Sequence, residues 1–131
     1  MYAKTIKYED YDGNEREETF YFNLSKAELI QLELSTTGGL EKMIKKITEE
    51  QDQQKLAELF TKIILISYGE KSADGKYFLK NDGELAKKFA QTEAFSELYW
   101  ELATNAESAI AFINGIVPKN IREQMATLGV E

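Results

Sequence analysis

The sequence predicts an α+β domain in which an N-terminal β-hairpin packs on a mostly α-helical bundle. Up to residue 23, apolar and polar residues alternate at the two-residue period of a strand. Beyond it, apolar residues recur three and four positions apart, the spacing of one helix face. Ser25, Asp82, Thr92 and Asn105 each stand where such a pattern begins, and their short polar side chains suit helix N-termini. The 131 residues suffice for one domain and are too few for two ordinary ones. A single domain is expected over 1–118, with the hairpin in 1–23 and helices in 24–118. A weakly amphipathic tail follows over 119–131.

The hairpin is read from two alternating segments. Ile6 and Tyr8 share one face with Phe20 and Phe22; Thr5, Lys7, Thr19 and Tyr21 occupy the other. Asp12, Gly13 and Asn14 supply the turn between them. A lone hairpin is marginal in water, so helices must cover its apolar face.

The first helix starts at Ser25, because Glu28 three residues on completes a capping box. Leu24 and Leu29 are placed for a hydrophobic staple, and Leu29, Leu32 and Ile30 are read as the buried side, ending before Gly38-Gly39. A second helix carries Leu40, Met43, Ile44 and Ile47, and the polar run 49–54 reads as a corner. A third carries Leu56, Leu59, Phe60, Ile63, Ile64, Leu65 and Ile66; apolar on more than one face, it is expected at the centre. A loop is expected from Gly69 to Gly75, then a short strand or anchor at Tyr77, Phe78 and Leu79. Asp82 is read as the cap of a helix ending at Phe89. Thr92 is read as the cap of one carrying Phe95, Leu98, Tyr99 and Leu102. Asn105 is read as the cap of one carrying Ile110 and Ile113, with Gly115 at its end and Pro118 beyond.

Composition narrows the function. The net charge of −7 opposes binding to nucleic-acid phosphates or anionic membrane surfaces, since both attractions are built from Lys and Arg. Without Cys or His there is no disulfide, no thiolate chemistry, no Ser-His-Asp triad and no common structural zinc site. No apolar run approaches the ~20 residues that span a bilayer. The opening residues turn acidic too early for a signal peptide, so the cytoplasm is the expected compartment.

Two motifs imitate chemistry. Asp10 to Asn14 has the alternating oxygens of a calcium loop, but its glycine comes too early and Tyr21 stands where the bidentate Glu belongs. A hairpin turn is the better reading. Gly69-Glu70-Lys71-Ser72 resembles the end of a phosphate-binding loop, yet Leu65 replaces the first glycine of that motif, so the backbone cradle is missing. The many carboxylates leave a paired-carboxylate hydrolase open on spacing alone; solvated helix faces are their ordinary explanation. Neither catalytic, cofactor nor metal residues are therefore assigned. Trp100 lies about 100° round its helix from the core residue Tyr99. It either finishes the core or anchors an interface.

The opening KTIKYEDYDGNEREETFYFNLSKAE, the loop YGEKSADGKYF and the stretch FAQTEAFSELYWELATNAESAIAFINGIVP resemble the tail assembly chaperones of long-tailed (siphovirus-type) phages and prophages of Gram-positive hosts. The resemblance implies a non-enzymatic protein of the host cytoplasm, absent from the finished virion. Such a protein binds the tape measure protein, keeps it soluble and promotes tail-tube assembly. The implied partners are the tape measure and tail-tube proteins, with self-association a further option. The partner-binding candidates are Trp100, Ile121, Met125 and Leu128, amphipathic anchors at helical spacing. An acidic phage or mobile-element protein that inhibits a host factor is the alternative.

Overall fold

The computed structural model describes residues 1–35 and 53–118. The expected second helix, the Gly38-Gly39 break, the side chain of Leu32 and the tail residues Ile121, Met125 and Leu128 lie outside them. Strands β1 (Tyr2–Glu9) and β2 (Glu15–Phe22) form the hairpin, and helix α1 (Lys26–Ser35) follows. Then come α2 (Gln53–Ser67), β3 (Tyr68–Lys71), β4 (Phe78–Leu79), a 3-10 turn (Asn81–Gly83), α3 (Glu84–Phe89), α4 (Glu93–Thr104) and α5 (Ala106–Ile116).

The hairpin register is continuous, with Tyr2 opposite Phe22, Ile6 opposite Glu18 and Tyr8 opposite Arg16. Its even-numbered positions face the helices, as the alternation predicts: Ile6 and Phe22 are buried, and Tyr8 and Phe20 pack against the core. The opposite face is open and polar, with Thr5 and Thr19 hydroxyls 2.9 Å apart and Lys7 3.8 Å from Glu17. At the turn, the Asp10 carboxylate accepts the backbone N–H groups of Asp12 and Asn14, and Gly13 takes φ +83°. That left-handed angle is why a glycine sits there.

The expected loop from Gly69 is corrected by the structure. Tyr68–Lys71 pairs antiparallel with the end of β2 and then with Phe78–Leu79, so the hairpin grows into a four-stranded sheet of order β1-β2-β3-β4. The region 24–118 is consequently not all helix. Too short to show a period of two, β3 is placed by its neighbours rather than by pattern. Gly69 is required by close approach: a Cβ there would come within 2.8 Å of the Leu79 carbonyl oxygen and strike the Phe78 ring. Gly115 is the penultimate residue of α5, at the helix end as expected, and a Cβ there would run into the ring of Tyr2.

Helix caps follow the sequence with one exception. The Glu28 carboxylate accepts the Ser25 N–H at 2.9 Å while the Ser25 hydroxyl accepts the Glu28 N–H at 3.2 Å. Ser25→Ala is therefore expected to cost about 1 kcal/mol; an unchanged denaturation midpoint would mean that the cap contributes nothing. Thr92 accepts the N–H of Phe95, and Asn105 accepts that of Ser108. Asp82 does not cap: it takes the left-handed φ of 54° inside the 3-10 turn, and Gly83, at φ +85°, occupies the N-cap position of α3. Ile30 is exposed, outside the buried side of α1 that holds Leu29.

Helix α2 contributes Phe60, Ile63 and Ile64, all buried on one face. Leu56, Leu59, Leu65 and Ile66 are only partly buried, so its two-sided apolar pattern does not make it buried all round. An aromatic cluster joins sheet to helices. Tyr68 stacks on Phe89 at 4.3 Å, while Phe22 meets Tyr68, Phe89 and Phe112 edge-on at 5.1 to 5.8 Å. Phe89 in turn meets Phe95 at 5.9 Å, which fixes α4 against the cluster.

Candidate functional site

The imitations of chemistry dissolve into structure. Hydrogen bonds from the Arg16 guanidinium and from the turn N–H groups hold the Asp10 carboxyl below its ordinary range, so its oxygens are committed to the turn. Among the described residues, no group of three or more acidic side chains is placed to hold a metal ion. Gly69-Glu70-Lys71 is sheet, and the Ser72 hydroxyl closes the following turn on Asp74.

A partly buried polar cluster converges on Lys80, which periodicity could not single out. Its ammonium donates to the carbonyls of Asn23 at 2.9 Å and Ile66 at 2.7 Å and to the Glu28 carboxylate at 2.6 Å. Three protons meet three acceptors, so Lys80 is saturated. Ile66 lies at the C-terminus of α2, a helix with no basic residue in its last turn, so Lys80 supplies the charge that end lacks. Partial burial pushes the Glu28 carboxyl up, but hydrogen bonds from Lys80 and the Ser25 N–H outweigh it and leave it below the usual range. Lys80 and Glu28 line a groove of about 630 Å³ together with Leu24, Leu65, Ile66 and Ala86.

Outside the core, the aromatics Tyr11, Tyr77 and Trp100 are exposed, and the two most exposed border one strip of surface. Trp100 is 70% exposed and Tyr11 is 74% exposed. The reading in which Trp100 finishes the core is thereby overturned, because Phe95, Leu98 and Leu102 already fill the buried side of α4. Glu93, Glu97, Trp100 and Thr104 fall within an arc of roughly 60° on the outer side of that helix. Tyr11 reaches the same strip from the hairpin turn, its hydroxyl donating to Glu93 at 3.0 Å. A bulky aromatic among turn-forming Asp, Gly and Asn is the signal that marks Tyr11 in the sequence. The other three partner-binding candidates, Ile121, Met125 and Leu128, lie beyond the described residues.

Trp100 on α4 and Tyr11 on the hairpin turn, beside an acidic strip, make a surface suited to docking. Residues 1–128 match the model of a family described as phage tail assembly chaperone, and the chain belongs to that family. Its role is therefore in phage tail assembly, as the resemblance in the hairpin, the loop and the C-terminal stretch implies. No curated protein and no solved structure matches the chain. No described helix is long and apolar enough to cross a membrane.

Proposed function

We propose that this chaperone binds the tape measure protein through the outer side of α4, keeps that polypeptide soluble, and promotes addition of tail-tube subunits. It acts in the cytoplasm of a host of long-tailed phages or prophages, catalyses no reaction and leaves before the virion is complete. The observation that carries the reading is the exposure of Trp100. A large aromatic left in water on a well-packed helix costs hydrophobic free energy that a partner would recover. A helix laid against α4 would use it as an anchor, with Ile121, Met125 and Leu128 as further apolar contacts.

Co-expression with the tape measure protein tests this. Trp100→Ala is expected to weaken the complex by about 2 kcal/mol while leaving the fold intact. Removal of everything after Pro118 is expected to lower the amount of soluble tape measure protein as well. Equal solubilisation by the intact, substituted and truncated chains would move the docking face elsewhere. If none of them solubilises it, the tape measure reading fails.

A further inference from the structure

Helix α4 carries Glu93, Glu97 and Glu101 and no Lys or Arg. Glu101 is neutralised by Lys4 at 2.8 Å, and Glu93 accepts the Tyr11 hydroxyl. Glu97 is exposed and has no ion-pair partner among the described residues. Trp100 and Tyr11 therefore bracket a strip of carboxylate charge, Glu93 and Glu97, that has no cationic partner among the described residues. An apolar helix docked on Trp100 would cover Glu97 without giving it a partner, which is unfavourable. A second copy docking through this same face would set carboxylate against carboxylate. A cation satisfies both features, because an ammonium or guanidinium is drawn to the face of an indole and to a carboxylate alike.

We infer that the segment docked on α4 is a cationic helix. One Arg or Lys lies over the Trp100 ring and against Glu97. A second, about two helical turns away, meets Glu93 and Tyr11, since those positions stand roughly 10 Å apart along α4. This rests on the docking face proposed above and adds the chemistry of its occupant.

Trp100 is the only tryptophan, so its emission reports the site directly. The probes are three helical peptides with the same apolar positions and Arg, Gln or Glu at the flanking positions. The Arg peptide is expected to shift Trp100 emission saturably and to bind at least about tenfold tighter than the Gln peptide. Its binding should weaken several-fold between about 50 and 300 mM salt. Glu97→Lys should remove that preference without changing the circular dichroism or melting temperature, because Glu97 is exposed. Equal binding of the Arg and Gln peptides, tighter binding of the Glu peptide, or no binding by any would overturn the inference. Co-expression separates it from the docking face itself. If Trp100→Ala loses soluble tape measure protein and Glu97→Lys retains it, the face stands and its cationic occupant falls. If both lose it, both stand; if neither does, the face falls and the inference with it.

Discussion

Replacing Phe22 by alanine is expected to cost about 4 kcal/mol of stability, the range of large-to-small substitutions in a core that cannot collapse around the gap. Phe22 has no exposed surface. It is paired on both sides, opposite Tyr2 in β1 and Tyr68 in β3, so the sheet cannot close over a void by moving an edge strand. Its ring meets those of Tyr68, Phe89 and Phe112, which belong to β3, α3 and α5. Alanine removes the apolar burial and leaves three aromatic edges without a partner. Phe22→Leu should cost about half as much, since it keeps most of the volume. A fall in the urea midpoint that is equal for the two variants would show that ring geometry, rather than volume, governs this site. No fall in either would contradict the packing described here.

The hairpin, its buried face and the caps at Ser25, Thr92 and Asn105 were all legible in the sequence because each rests on contacts within a few residues. Alternation assigns Ile6 and Phe22 to one face whatever else the chain does. The errors share a different origin. Strand β3 is defined by hydrogen bonds to β2, 46 residues earlier at the Phe22–Tyr68 pairing, and leaves too short a pattern to read. Asp82 has the right side chain for a cap, but it is drawn into the preceding 3-10 turn at a left-handed φ, and Gly83 after it takes the position. Gly115 stands at the helix end as read, but the ring of Tyr2 that crowds it comes from across the fold and leaves no local signal. At the candidate site, spacing put Trp100 off the core stripe and left its fate open. What decides its exposure is that α4 has already filled its buried side, and Tyr11 joins it only through the fold.

Lys80→Met is expected to lower stability by about 3 kcal/mol, although methionine keeps the aliphatic length. The loss arises from what remains behind. The carbonyls of Asn23 and Ile66 and the carboxylate of Glu28 each lose a charged donor, and Lys80 is only about one-fifth exposed, so water replaces it poorly. Glu28→Gln should cost less, because Glu28 is more exposed and the Ser25 N–H still finds the side-chain oxygen. The double substitution should cost less than the two single effects together, since each removes the same ion pair. Acid has the same target. The Glu28 carboxyl is held below its ordinary 4.5 in the folded chain, so its contribution is complete above that value and is lost as pH falls through the lower, folded one. Urea midpoints measured from pH 7 down to about 3 should therefore fall less steeply in Lys80→Met than in the parent chain. Parallel pH profiles would show that Lys80 does not hold Glu28 in its charged state. An unchanged midpoint at pH 7 would show that the three acceptors are satisfied without it.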